Sequence, residues 1–182
     1  MLPELVYCAG KNARYAAVAI AAGFRYGAQL PCTTYGPVWF ADQDWKRPDR
    51  TRYMAALAAH RPAMATVLDL DQPEQLADVL SWAEEAAQYV ERVLIIPKYS
   101  SAVDAIPRRI GGADVVLAYS VPTAFGGTSV PVWEFTGWPV HLLGGSPHRQ
   151  MELTRYMDVV SADGNMANKM SHAGRFWSAV KG

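Results

Sequence analysis

The sequence predicts an α/β protein: a small (β/α)8, TIM-like barrel with missing helices, or, as the alternative, an open doubly wound parallel sheet. Three observations carry this expectation. About eight short apolar segments of strand character follow one another along the chain, and most are separated by stretches of helical periodicity. Such alternation builds parallel sheets, and eight units suit a closed barrel. Three of the strand-like segments run into an aspartate, Asp42, Asp69 and Asp163, and parallel strands that point one way would bring these to a common mouth. The chain has 182 residues, whereas such barrels usually need about 200 or more, a length that counts against the closed barrel and keeps the open sheet as the alternative.

The first strand is Leu5 to Cys8, closed by Ala9-Gly10, and an alanine-rich helix from Asn12 to Ala22 follows, with Gly23 as its C-terminal cap. Phe24 to Leu30 reads as the second strand, stopped by Pro31, and Val38 to Phe40 as the third. A basic loop from Lys46 to Arg52 leads into a helix from about Asp49 to His60, whose Tyr53, Met54 and Leu57 lie on one face. Met64 to Leu68 is a buried strand, and Gln72-Pro73 opens the longest helix, to about Val90, with Leu76, Val79, Leu80 and Ala83 as its inward stripe. Val93 to Ile96 is a strand, Ser101 to Ile110 a short helix closed by Gly111-Gly112, and Val115 to Ala118 another strand. Val121 to Trp138 is rich in Gly, Pro and Thr without helical period, and is expected to be a long functional loop over one mouth of the fold. Val140 to Leu143 is a strand ending at Gly144-Gly145, and Ser146 caps a helix that has Pro147 at its first position. Val159 to Ala162 is the last strand, before Asp163-Gly164-Asn165, and Asn165 to Val180 reads as a terminal helix docked by Met166, Met170, Phe176 and Trp177.

With 51% hydrophobic residues, the whole chain, 1–182, is read as a single α/β catalytic domain with one core. Seventeen basic and seventeen acidic residues cancel, so no global field points to nucleic acid and local patches must carry any such contact. Cys8 and Cys32 are too few for a disulfide framework, and the chain shows neither a signal-peptide pattern nor an apolar run of about 18 residues. A cytoplasmic protein without membrane contact is expected. No P-loop, dinucleotide fingerprint or zinc-protease motif is present, and neither metal nor cofactor is expected.

Each strand-end aspartate has a plain reading as a helix cap or turn former. Together they read as a catalytic set, because paired carboxylates facing a glycosidic bond act as nucleophile and general acid or base, with environment deciding which stays ionised. Lys46, Arg47, Arg50 and Arg52 beside Trp45 form a candidate phosphate grip with a stacking aromatic, or a solvated loop. His148, Arg149, Lys169, His172 and Arg175 form a second candidate patch, or a solvated helix face. His141 is expected to be a satisfied core or mouth residue, and Trp133, Phe135 and Trp138 either sandwich a flipped base or pin their loop.

The segment from Val140 to Asn165, a strand ending in a glycine turn, then Pro and a short helix, then an Asp-bearing strand, resembles the C-terminal catalytic segment of the tRNA-guanine transglycosylase superfamily. The resemblance implies that Gly144 and Gly145 border a base pocket and that Asp163 attacks the sugar. Asp158, at the start of the same strand, is the alternative nucleophile. By order and context Asp42 matches the family's acid/base, and Asp69, in TVLDLD, the aspartate that reads the guanine edge. A carboxylate accepts two hydrogen bonds, and guanine offers N1–H and an exocyclic amine side by side. Pro97-Lys98 stands where the family has a base-reading glutamine, which leaves the identity of the base open; Lys98 and Tyr119 complete the implied base-binding set. The family's cysteine and histidine zinc site is absent from this sequence. A short, zinc-free chain is closest in character to the transglycosylases of phages and bacteria that insert 7-deazaguanines into DNA. The resemblance thus implies exchange of guanine in DNA for a base such as preQ0, with Lys46, Arg47, Arg50, Arg52, Lys169 and Arg175 toward the nucleic acid. A tRNA substrate, a simple N-glycosidase, a non-catalytic nucleotide-binding barrel and a phosphate-binding barrel enzyme are the other readings. The oligomeric state is left open.

Overall fold

A computed structural model of the chain describes residues 3–8, 13–124 and 126–164. The elements are β1 (Glu4–Cys8), α1 (Ala13–Ala21), β2 (Arg25–Leu30), β3 (Phe40–Gln43), α2 (Arg50–His60), β4 (Met64–Leu70), α3 (Leu76–Ala86), β5 (Arg92–Pro97), β6 (Arg109–Ile110), β7 (Ala113–Ser120), β8 (Pro139–Leu143), α4 (Pro147–Leu153) and β9 (Asp158–Gly164). Parallel pairings run β5-β4-β3-β2-β1-β9-β8-β7, and β5 also pairs in parallel with β7. The sheet therefore closes on itself as an eight-stranded parallel barrel, with β6 as a short antiparallel appendage on β7. The expected barrel with few helices is what forms, and the open doubly wound sheet is not.

Closure divides each strand into an inner and an outer row. Val6, Phe40, Met64, Leu94, Ile96, Val116 and Ala118 form one apolar cluster, which fills the barrel. Residues one step along the same strands, such as Val93, Ile95, Val115 and Leu117, join the larger cluster between barrel and surrounding segments. This is the period of two in a strand buried on both faces. Gly27 is needed on the inner row, because a Cβ there would stand 2.9 Å from both Phe40 Cδ1 and Val6 Cγ1.

The helices cover the outside where their local signals are strong. Asp49 caps α2 by accepting Arg52 N–H at 3.0 Å, and Tyr53, Met54 and Leu57 are buried. Pro73 opens a 3-10 turn (Pro73–Gln75) before α3. That helix ends at Ala86 rather than near Val90, and buries Val79, Trp82, Ala83 and Ala86. Leu76 and Leu80 pack only at its margin, since the inward stripe is rotated toward Trp82. Ser146 caps α4 by accepting Arg149 N–H at 3.3 Å, with Pro147 in its first turn.

One connection differs from the sequence expectation. The segment Ser101 to Ile110 is not a helix: a 3-10 turn (Ala102–Ala105) ends in extended backbone at Ile106, and Arg109–Ile110 hairpins onto β7 through Gly111-Gly112. Pro107 is the cause, because a proline disfavours helical backbone in the residue before it and Ile106 has ψ 124. The stretch from Val121 to Trp138 lies over the C-terminal mouth of the barrel as expected, with Val121, Thr123, Gly126 and Gly127 facing the cavity there, and it is also packed onto the barrel. Val121, Val130, Phe135 and Trp138 are buried, so it stands in for a missing helix over β5 and β7. Phe135 packs edge-on against Tyr119 at 5.1 Å, and Trp138 carries the Arg108 guanidinium 3.5 Å from its ring centre, so both pin the segment. Trp133 stays exposed.

Among the described residues no helix is long and apolar enough to cross a membrane. The expected terminal helix from Asn165 to Val180, with Lys169, His172 and Arg175, lies outside the described residues.

Candidate active site at the strand C-termini

A cavity of about 670 Å3 opens at the C-terminal ends of the strands, within the ~300–1,000 Å3 range of small-molecule sites. Asp42, Asp69, Lys98, Gly144, Gly145 and Asp163 all line it, so the strand-end carboxylates and the glycine turn meet as expected. Strands β3, β4 and β9 run further than the sequence pattern indicates, so each aspartate is the last residue but one of its strand and faces the cavity. A second hollow of about 510 Å3 lies at the opposite barrel end, near Trp39, Arg61 and Tyr89, and its lining brings one acidic side chain, Glu91. The three strand-end carboxylates line the first.

Asp42 sits at the cavity floor. Its Oδ1 accepts the Thr66 hydroxyl at 3.0 Å, and Thr66 Oγ1 in turn accepts Gln43 N–H at 2.8 Å. Tyr53, reaching in from α2, donates to the Thr66 carbonyl at 2.8 Å and so fixes β4 against β3. Burial, followed by the negative charge of Asp163, pushes the Asp42 pKa up to about 7 against the pull of Thr66. A carboxyl so placed holds and releases a proton near neutral pH.

Asp163 is set differently. Its Oδ1 accepts Gly144 N–H at 2.8 Å and faces His141 Nε2 at 3.4 Å. Gln150, from α4, donates to the carbonyls of Gly144 (2.8 Å) and Asp163 (2.7 Å), clamping the ends of β8 and β9 together. Gly145 makes the turn possible: φ is +84°, and a Cβ there would stand 2.5 Å from Val121 Cγ1. Asp158, by contrast, is exposed and pairs with Pro139 at the other end of β9, far from the cavity lining. Of the two candidate nucleophiles, only Asp163 is at the site. Cys8 is not a rival, because burial and the carboxylates of Asp163 and Asp42 push its thiol well above the usual range.

The third carboxylate is paired. Lys98 Nζ lies 3.2 Å from Asp69 Oδ2, and burial raises the Asp69 pKa while Lys98 opposes the rise. Lys98 is held from outside, since Thr128 and Ser129 donate to the carbonyls of Pro97 (2.8 Å) and Lys98 (3.0 Å). Tyr119 does not join this wall. On β7 it is Ser120 that faces the cavity, so Tyr119 points outward into the core.

Of the basic loop, exposed Trp45 lines the mouth with Lys46 above its ring at 5.1 Å, and Arg47 and Arg52 are exposed. Arg50 is used elsewhere: it binds Glu85 at 2.7 Å and Ser81 at 3.0 and 3.1 Å, and lies over Trp82, tying α2 to α3. Sequence spacing groups it with its neighbours because the partner helix is not visible there. Thr66 and Gln150 are the site-supporting residues that sequence reasoning missed, each in an otherwise apolar or helical run with no local signal of its partners; His141, expected as a satisfied core or mouth residue, is buried as expected, but its Nε2 has no hydrogen-bond partner among the described residues. Among the described residues no three His, Cys, Asp or Glu side chains are grouped to hold a metal ion.

A family model, described as a family of unknown function (DUF6610), matches residues 18–181. The chain belongs to this family. No curated protein and no solved structure matches it. Every strand of this DUF6610 chain from β2 onward, and with them all three strand-end aspartates, lies inside the matched region.

Proposed function

We propose that this chain is a base-exchanging pentosyltransferase, which replaces guanine in DNA by a 7-deazaguanine such as preQ0. The observation that carries the reading is the unlike pair of carboxylates in one cavity: Asp42 poised near neutrality and Asp163 fixed by the Gly144 amide. In the first displacement an Asp163 oxygen bonds to the anomeric carbon as the C–N bond breaks, and the departing purine nitrogen takes the electron pair and the Asp42 proton. In the second, the incoming base gives its N–H proton to Asp42, its nitrogen attacks the same carbon, and Asp163 leaves as carboxylate. Two inversions retain the sugar's stereochemistry, and atoms and charge balance without any other reactant.

Asp69 and Lys98 offer acceptor and donor groups to a base edge, and Trp45, Lys46, Arg47 and Arg52 supply stacking and positive charge at the mouth. The test is to incubate the protein with guanine-containing oligonucleotides and labelled guanine or preQ0, and follow label into polymer. Incorporation, with a protein–DNA adduct on a denaturing gel, is expected. Absence of both on single- and double-stranded DNA and on tRNA would overturn the proposal.

A further inference from the structure

His141 is fully buried on the inner row of β8, with its ring tilted against Phe40 at a centroid distance of 4.9 Å. A polar ring inside an apolar barrel is costly unless its nitrogens are used. Nδ1 is used, lying 2.8 Å from Ser161 Oγ. Nε2 has no aligned hydrogen-bond partner among the described residues, although Asp163 Oδ1 stands 3.4 Å away. The contact is in range but off-line, as catalytic contacts often are before substrate binds.

The backbone is built to make this juxtaposition. Val140 pairs with Val159, but His141 pairs with Ser161, so the β8–β9 ladder skips one residue between them. Without that irregularity His141 would face Val160 and the Asp163 side chain would point out of the barrel. Such bulges re-aim side chains next to active sites.

Resting on the base-exchange reading above, we infer that His141 is a positioning residue for the nucleophile: its Nε2–H holds Asp163 Oδ1 together with the Gly144 amide, leaving Oδ2 to attack the sugar. The proton placement follows from the neighbours. A bare Nε2 lone pair beside a carboxylate oxygen would set two acceptors against each other, so the proton belongs on Nε2 and Nδ1 accepts the Ser161 hydroxyl. Met64 Sδ, 3.9 Å from Ser161 Oγ, is a weak competing acceptor. A donor on Asp163 Oδ1 stabilises the negative charge that returns to the side chain when it leaves the sugar. It therefore assists the second displacement, in which Asp163 leaves with negative charge, more than the first.

The experiment has two arms. In single-turnover reactions His141→Leu is expected to slow release of the sugar to the incoming base by about 10- to 100-fold, the worth of one hydrogen bond to a charged group. Adduct then accumulates above the wild-type level, and His141→Gln, which restores a side-chain N–H, returns release toward wild type. Parallel loss of adduct formation and release, or no change in either, would overturn the inference. The second arm, long-range 1H–15N correlation of the histidine rings with His141 assigned by its loss in His141→Gln, needs no activity. A proton on Nε2 supports the inference, and a ring protonated on Nδ1 with bare Nε2 overturns it. A wild type without adduct or exchange would remove the base-exchange reading, while the ring proton still decides what His141 does to Asp163.

Discussion

Lys98 Nζ stands 3.2 Å from Asp69 Oδ2, and both side chains are three-quarters or more buried, at 17% and 25% exposure. Burial raises the Asp69 pKa, and the ammonium of Lys98 beside it opposes the rise. Asp69→Asn turns one acceptor into a donor facing guanine's own donors, and base binding should weaken by about 1 to 3 kcal/mol. Lys98→Met leaves burial unopposed, so the Asp69 pKa should rise and base affinity should fall off as pH drops through it. Competition of free guanine against a labelled base, measured between about pH 5 and pH 8, checks both. Unchanged affinity in Asp69→Asn would take Asp69 out of the base site.

The Asp42 pKa of about 7 has consequences for stability as well as rate. Between its unfolded value near 4 and about 7, the folded protein binds a proton that the unfolded chain has lost. Stability due to this group is therefore full at the acid end, falls as pH rises through that window, and stays reduced above it. Asp42→Asn removes the dependence and should make the protein more stable than wild type above neutrality, by roughly 2 kcal/mol after allowance for solvent in the cavity. Urea unfolding at about pH 5 and about pH 8 is the check. The same substitution should leave adduct formation slow and flat with pH, where wild type loses it above about pH 7 as the acid deprotonates.

Asp163→Ala should abolish both adduct and exchange, whereas Asp158→Ala, at the far end of the same strand, should leave both within about two-fold of wild type, as expected of a solvated surface carboxylate. Denaturing gels of enzyme with oligonucleotide distinguish the two. An adduct that survives Asp163→Ala would assign the nucleophile elsewhere.

Arg50 and its loop neighbours should separate cleanly. Arg50→Ala loses the Glu85 ion pair and the Trp82 face, and is expected to lower stability by about 1 kcal/mol without changing the salt dependence of DNA binding. Replacing Lys46, Arg47 and Arg52 by alanine should do the reverse, reducing the slope of log K against log salt by up to about one for each phosphate that is no longer neutralised. Thermal melts and binding titrations in increasing salt measure the two effects.

Much of this architecture is legible along the chain. Apolar runs such as Val93 to Ile96, the Ser146-Pro147 helix start and the Asp49 cap depend on neighbours a few residues away, and local backbone preference decides them. The common mouth for Asp42, Asp69 and Asp163 follows from the alternation of elements alone, because it holds for a closed barrel and for an open parallel sheet alike. The hairpin at Arg109–Ile110 is also written there, in Pro107, but a helix-like composition around it hides the signal.

What tertiary structure alone decided is which way side chains face and whom they meet. Strands of a closed parallel barrel are apolar on both faces, so alternation does not tell the inward Ser120 from the outward Tyr119. The one-residue skip between β8 and β9 moves His141 from Val160 to Ser161 and turns Asp163 inward, and nothing in a single strand's sequence encodes a ladder shared by two. Arg50 belongs to Glu85 rather than to a phosphate, and Lys98 to Asp69, because pairings between residues about thirty positions apart are made by packing. The residue types of the site are a property of the sequence; their burial, their partners and hence the near-neutral titration of Asp42 exist only once the barrel has closed.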